Sequence, residues 1–285
     1  MPQRSSHHAE DSCSDIGPIL KWAGGKSQLL KNLVPLVPVR FSSYFEPFFG
    51  GGALFFHLLA NRPSLRAYIS DANPELVNCY LRVRDDVDEV IAQLKRHRND
   101  KHHYYKVRSQ DPSELDEVGR AARLIFLNKT CFNGLFRVNR RGQFNVPFGK
   151  YKNPRIVDEG RLRRVSRSLQ QARVAISCCD FDRALARARA GDFVYLDPPY
   201  QPLTSTSRFT SYTRRDFVEQ DQFRLAKTFR ALDARGVFVL LSNSDSHLVR
   251  TLYEDFQIDQ VLATRAINCN GKKRGRIGEL LIRNY

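Results

Sequence analysis

At 285 residues and 42% apolar, the chain is long enough to bury a full core, which suits one large domain or one domain carrying an insertion. No apolar stretch approaches the roughly 18 residues that span a bilayer, and the polar opening MPQRSSHHAEDSCSD does not read as a signal peptide, so a cytoplasmic protein with no membrane partner is expected. A formal charge of +16 calls for something acidic to bind, and it is concentrated: from Arg137 to Arg167 ten Lys/Arg stand against two acids, a net +8 in 31 residues. That clustering argues for a phosphate-facing patch over a solvated charged face. The six cysteines, Cys13, Cys79, Cys131, Cys178, Cys179 and Cys269, make no CxxC pair, and the histidines show no His/Glu metal spacing. Reduced, structural thiols and no metal follow.

In chain order, residues 1–17 form a polar tail expected to be flexible. KWAGGKSQLL, residues 21–30, sets two glycines between two lysines ahead of a helix, an anion-receptive loop without the spacing of a P-loop. YFEPFFGGGALFF, residues 44–56, reads as a strand ending at Glu46, three glycines and a helix. Such a turn lets backbone approach a ligand, although it is not GxGxxG and a merely flexible turn stays open. AYISDANPEL follows, with Asp71 at a strand end 19 positions after Gly52, where an acid accepts hydrogen bonds from ribose hydroxyls. The other reading has Asp71 cap the helix PELVNCYLRV.

From about 81 to 172 the alternation breaks, through the basic helical DEVIAQLKRHRNDKHHYYKVR, the amphipathic GRAARLIFL and a Gly/Asn/Arg-rich stretch without strand pattern. It resumes as VAISCCD, FDRALARARA, DFVYLD, a long polar stretch, FRLAKTFRALDARG, VFVLLSNSD, SHLVRTLYEDF and ELLIRNY. Strands alternating with helices predict an α/β fold with a mainly parallel sheet, built from 18–80 and 173–285 and interrupted by the insertion 81–172.

YLDPPY, residues 195–200, ends the third strand on the same edge. The Asp197 carboxylate and the Pro198 carbonyl are two acceptors for the hydrogens of a weakly nucleophilic amine, and the prolines bring no competing donor. Tyr200 offers a flat face to a base drawn out of its stack. Beyond it, QPLTSTSRFTSYTRRDF reads either as a loop that orders over DNA or as an ordinary surface connection. NCNGKKRGRIGELLI reads as a second surface for nucleic-acid backbone.

KWAGGK, FFGGG, SDANPEL, NKTCFNGLFRVNRRGQFNVPFGKY and DPPY, in this order, resemble the Dam family of DNA adenine methyltransferases, over nearly everything from Lys21 to Tyr285. The resemblance implies a Rossmann-like methyltransferase sheet with an inserted, mainly helical DNA-recognition domain. It implies transfer of the methyl of S-adenosyl-L-methionine to the exocyclic N6 amine of a flipped adenine in double-stranded DNA, usually within GATC, by a protein expected to be a monomer. Matching positions make Trp22, Lys26, Glu46, Phe49, Gly50, Gly52, Asp71, Asp180, Phe181 and Asp197 cofactor contacts, with Asp71 on the ribose and Asp180 and Phe181 on the adenine ring. Asp197, Pro198, Pro199 and Tyr200 form the acceptor site. In the insertion, Asn128, Phe132, Asn133, Leu135, Arg137, Asn139, Arg140, Pro147 and Lys150 match DNA contacts, Phe132 as the wedge and Arg137 as the guanine reader. Phe132 stands where relatives often carry Tyr, and Val138 where an aromatic is frequent.

A dehydrogenase would need a pyrophosphate loop and predicts no basic insertion. A binding module without catalysis leaves DPPY unexplained. Methylation at the ring carbon of cytosine needs a cysteine nucleophile, typically after proline, and no cysteine here follows one. Amino-cytosine methyltransferases often carry Ser at the position of Asp197 and commonly order their motifs differently. Direct in-line transfer without a covalent enzyme intermediate is the expected chemistry.

Overall fold

The structure, a computed structural model, describes residues 16–22, 24–200, 217–264 and 276–285. The tail to residue 15, most of the polar stretch after Tyr200 and the basic run 265–275 lie outside the described residues, and with them the expectations placed on those segments.

One seven-stranded sheet organises the chain: β1 (Tyr44–Glu46), β2 (Arg66–Asp71), β3 (Arg173–Cys178), β4 (Phe193–Leu196), β5 (Phe238–Ser244), β6 (Gln257–Thr264) and β7 (Arg276–Arg283), in the spatial order β3-β2-β1-β4-β5-β7-β6. β1 to β5 pair in parallel, and β7 runs antiparallel between β5 and β6. Strand order reverses between β1 and β4, and in open parallel sheets the carboxyl edge at such a reversal is where ligands bind. The chain leaves that edge at Glu46, Asp71 and Leu196. Because β7 is antiparallel and pairs Glu279 with Ser244, the start of β7 arrives at the same edge.

Successive strand residues serve opposite faces of the sheet. Tyr44, Phe193, Tyr195, Leu240 and Leu281 belong to one core, and Phe45, Val194, Leu196, Leu241 and Leu280 to the other. This double burial is why FVYL and VFVLL are unbroken apolar runs. After the one-turn α1 (Leu30–Leu33), the first core takes α2 (Ala53–Asn61), α3 (Pro74–Asp85), α4 (Val87–Lys95), α5 (Lys101–Ser109), α6 (Glu117–Thr130) and α7 (Glu159–Gln171). The second takes α8 (Phe181–Leu185), α9 (Glu219–Asp233) and α10 (His247–Leu252). Residues 81–172 supply four of these helices, and α3 packs directly on α6 and α7, so the insertion shares the core on one sheet face.

Caps fix the helix starts. Asn73, followed by Pro74, accepts from Glu75 N and Leu76 N, Asp116 accepts from Gly119 N, and Asp158 accepts from Arg161 N. Three elements differ from the sequence reading. FDRALARARA is helical only to Leu185. β6 is an edge strand, where the polar QIDQ start leaves little apolar signal. KWAGGKSQLL does start a helical run, the 3-10 turn Lys26–Leu29 leading straight into α1, but its Lys26 faces inward and is paired with carboxylates, not turned to an anion.

Candidate active site

The turn after β1 is shaped by backbone and one carboxylate. Gly50 (φ 49°) and Gly52 (φ 64°) adopt left-handed conformations, and a Cβ on Gly52 would lie 2.4 Å from the Phe49 ring, so the turn requires glycine there. Gly50 N donates to Asp71 Oδ2 at 2.9 Å, and Asn73 N to Asp71 Oδ1 at 2.9 Å. Asp71 thus ties the β1 turn to the end of β2, and the capping role falls to Asn73 instead. Desolvation pushes the Asp71 carboxyl up to about 6, against the backbone N–H groups that favour its charged form. Glu46 is buried at the end of β1, accepting from Tyr44 Oη at 2.8 Å. Burial holds its carboxyl well above the ordinary range, and the Tyr44 bond opposes while Asp197 and Asp71 reinforce.

At the end of β4 stands a closely paired cluster. Lys26 Nζ lies 2.6 Å from Asp197 Oδ1 and 3.4 Å from Glu279 Oε1, and 4.7 Å from the centre of the Tyr200 ring. The Tyr200 hydroxyl donates to Glu279 Oε1. Lys26 and Glu279 are buried, and Asp197 is 18% exposed. Burial alone would depress Lys26, but Asp197 and Glu279 outweigh it and raise its ammonium above the usual value. Burial brings the Asp197 carboxyl up to about 6, with Lys26 opposing and Glu279 adding. Pro198 and Pro199 continue the chain without regular secondary structure, and Tyr200 closes the group.

The edge therefore collects four carboxyls, Glu46, Asp71, Asp197 and Glu279, against one ammonium. With Glu46 held toward its neutral form, Asp71, Asp197 and Glu279 still outnumber the ammonium, and such a set of acceptors suits a cationic ligand and disfavours the pyrophosphate of a dinucleotide. The buried hydroxyl of Ser70, beside Asp71, has no hydrogen-bond partner among the described residues and leaves polar capacity at this edge.

The remaining expected cofactor contacts divide. The Trp22 ring lies against Gly50, where a Cβ would come within 2.9 Å of Cδ1, and stacks on Phe136 at 5.2 Å. Phe181 is buried beside Phe48, with the Arg224 guanidinium 4.4 Å over its ring. Asp180 caps α8 and accepts from Arg224 at 3.0 Å. Phe49 differs from the expected contact: its side chain is buried core, edge-on to Tyr80 and Phe55.

On the insertion, the chain after α6 makes a short hairpin-like excursion, with bridges Cys131↔Phe148 and Val138↔Phe144. Phe132 is 40% exposed at its start, and Asn133 takes a left-handed φ of 56°. Leu135 is half-buried, and its carbonyl accepts from Cys131 Sγ. Arg137 Nε donates to Asn145 Oδ1 at 2.7 Å, which orients the guanidinium. Asn139 is committed to the hairpin tip, its Oδ1 accepting from Arg141 N and Gln143 N. Arg140, Pro147 and Lys150 are exposed, and the Pro147 carbonyl accepts from Phe132 N. Asn128 departs from the expected outward position. It is 2% exposed, accepts from Lys21 N at 2.8 Å and donates to Lys21 O and Gly134 O, so it braces the KWAGGK arm and the Phe132 loop from below.

Sequence reasoning missed Glu279, Asn145 and Arg224. Asn145 sits eight positions after Arg137, and only the hairpin brings the two together. Among the described residues no group of three or more His, Cys, Asp or Glu could hold a metal, and no helix is long and apolar enough to cross a membrane.

A family model described as D12 class N6 adenine-specific DNA methyltransferase matches residues 22–267. The Type II methyltransferase M.MjaIII of Methanocaldococcus jannaschii is 47% identical over 95% of this chain and 100% of its own length. The Type II methyltransferase M1.LlaDCHI of Lactococcus lactis subsp. cremoris is 45% identical over 95% and 96%. The DNA adenine methylase of Escherichia coli K12 is 35% identical over 92% and 93%, so identity to the two Type II enzymes exceeds that to this Dam-type relative. A solved precorrin-6y C5,15-methyltransferase from Geobacter metallireducens aligns over 96% of this chain at 8% identity and a TM-score of 0.41, too remote to bear on function. The match over most of the chain places it plainly: the protein belongs to the D12 class of N6 adenine-specific DNA methyltransferases.

Proposed function

We propose that this enzyme methylates the N6 amine of an adenine flipped out of double-stranded DNA, with S-adenosyl-L-methionine as donor and GATC as target, in one in-line step. The observation that carries the reading is the Asp197 carboxylate at the end of β4, held through Oδ1 by Lys26 beside a sheet edge rich in carboxyls.

S-adenosyl-L-methionine, when bound, supplies an electrophilic methyl on a sulfonium cation. The residues that would hold it are Asp71 and the Gly50–Gly52 turn at the ribose, Asp180 and Phe181 at the adenine ring, and Trp22. Asp71 has accepting capacity beyond its backbone bonds, and the excess of carboxyls offsets the donor's positive charge. Lys26 engages Asp197 through Oδ1, which makes Oδ2 the acceptor for one amine hydrogen, with the Pro198 carbonyl as the second. Holding both hydrogens turns the nitrogen lone pair out of the ring plane and toward the methyl group. A carboxyl near 6 is ionised at neutral pH and basic enough to take the proton that the methylated nitrogen sheds. Tyr200, steadied by Glu279 and Lys26, gives the base its stacking face.

The reading assigns DNA recognition to residues 81–172. Phe132 and Asn133 are the wedge, Leu135 and Arg137 read bases, Arg140 and Lys150 meet phosphates, and Asn139 and Pro147 shape the loop. Such an enzyme works in the cytoplasm, where the DNA is.

Asp197→Ala should abolish methylation of duplex DNA, read as tritiated methyl incorporation, while S-adenosyl-L-methionine binding by calorimetry survives at least in part. Full activity in that variant would remove Asp197 from the mechanism. Sequencing a plasmid methylated by the purified protein tests the target, and modified adenines lying outside GATC would reject it.

A further inference from the structure

We propose that Glu279 is a positioning residue for methyl transfer, which governs Asp197 through Lys26 and Tyr200 without touching the reacting groups itself. The inference rests on the acceptor role given to Asp197 above.

Glu279 heads the otherwise apolar strand segment ELLI and is buried, so its carboxylate carries a desolvation penalty that its partners must offset. A buried carboxylate is retained at a penalty unless it is paired, and its pairing here is incomplete: one ammonium serves both Asp197 and Glu279. The two groups that Glu279 contacts, Lys26 and the Tyr200 hydroxyl, both border Asp197. Were Lys26 paired with Asp197 alone, the ammonium would neutralise the acceptor that must draw on the amine. Sharing Lys26 with Glu279 weakens that neutralisation, and the Tyr200 bond fixes the ring on which the base stacks.

Among the described residues, the charged and titratable groups facing Asp197 are Lys26 from the 3-10 turn, Tyr44 and Glu46 from β1, Tyr195 and Tyr200 from β4 and its exit, and Glu279 from β7. Glu279 is the carboxylate among them whose charge can be removed without substituting a tyrosine, the β1 carboxylate, Lys26 or Asp197 itself, so any change at Asp197 is relayed through Lys26 and Tyr200. Its negative charge raises the Asp197 carboxyl, so its removal must lower it.

The test compares wild type with Glu279→Gln in steady-state methylation of a duplex oligonucleotide by S-adenosyl-L-methionine, as a function of pH. We expect kcat to fall about tenfold or more with KM for both substrates within about threefold, a loss confined to the transition state. The acidic limb of the kcat profile should move to lower pH by about half a unit. A wild-type kcat and limb overturn the proposal, as does a reduced kcat with an unmoved limb, which marks a merely structural role. If Glu279→Gln has no cooperative melting transition, Glu279→Asp replaces it, keeping the charge but withdrawing it by one methylene. Reduced kcat at unchanged KM then supports the proposal, and wild-type kcat overturns it. Asp197→Ala run alongside separates the two readings: an active Asp197→Ala removes the acceptor role on which this rests, whereas an inactive Asp197→Ala with a wild-type Glu279→Gln removes only the inference about Glu279.

Discussion

The carboxyl edge of the sheet and the hairpin tip after α6 differ in how far they expose their side chains. At the edge, Lys26 and Glu279 are buried, Asp197 nearly so, and each is bonded to another member of the cluster. At the tip, Phe132 and Tyr151 are exposed aromatics, and Arg140 and Lys150 reach into solvent. Directing a lone pair needs acceptors fixed in a low-dielectric setting, whereas reading a duplex needs side chains that extend beyond the fold and meet phosphates and bases. Two such regions remain in register here because they share one hydrophobic core and are joined at Asn128, which bonds the arm carrying Trp22 and Lys26 to the loop carrying Phe132.

The most severe way to break that arrangement is at the joint. Asn128→Ala leaves Lys21 N–H, Lys21 C=O and Gly134 C=O without their buried partner, and we expect a loss of about 2–4 kcal/mol in urea unfolding. Methyl transfer and DNA binding should fall together. A variant of unchanged stability that loses DNA binding alone would show that Asn128 faces DNA and that the joint lies elsewhere.

A smaller effect separates reading from clamping within the tip. Arg137→Ala should cost about 1–3 kcal/mol on the cognate duplex and relax discrimination at one base pair, whereas Lys150→Ala should weaken all duplexes alike and flatten the salt dependence. Fluorescence anisotropy on a panel of single-base variants checks both. Identical profiles for the two variants would dissolve the distinction. Asn145→Ala should resemble Arg137→Ala in weaker form, because it frees the guanidinium that Asn145 orients.

What could be read from sequence follows the same division. β4 and β5 were legible because strands buried on both faces are apolar runs, and β1, β2 and β3 because short apolar runs end at turns that carry Gly, Asp or Pro. β6 was not, since an edge strand need not be apolar. Asp71 and Asp197 were legible because a carboxylate ends an apolar run. Glu279 was not, because a lone Glu at the head of ELLI reads as solvent-facing, and only the antiparallel return of β7 sets it across from Ser244. Lys26 was legible as a candidate but its direction was not, because that is set by carboxylates some 170 and 250 positions away in the chain. Asn128 carried a signal that could have been used: an amide within LIFLNKT lies on a buried helix and must find partners inside.

The smallest expected effect distinguishes the two regions by the sign of their response to acid. At the edge, Asp197 titrates at about 6 in the folded protein against 3.8 unfolded, so between these values the native state binds more protons and stability rises as pH falls. In the insertion, His97 stacks on Phe126 at 4.4 Å with His103 at 3.0 Å from its Nδ1. Burial, reinforced by His103, depresses His97 from 6.5 to about 4, so there the unfolded state takes up the proton first and stability falls with pH. Between pH 7 and pH 6 each group contributes only a few tenths of a kcal/mol, with opposite signs, and the wild-type melting temperature should barely move. The variants uncover the cancellation. Asp197→Asn removes one of the two edge carboxyls raised to about 6, Asp71 being the other, so its melting temperature should fall as pH goes from 7 to 6, whereas His97→Gln should show a rise over the same interval. Equal slopes in the two variants would mean that the edge and the insertion do not differ in how burial sets their charge.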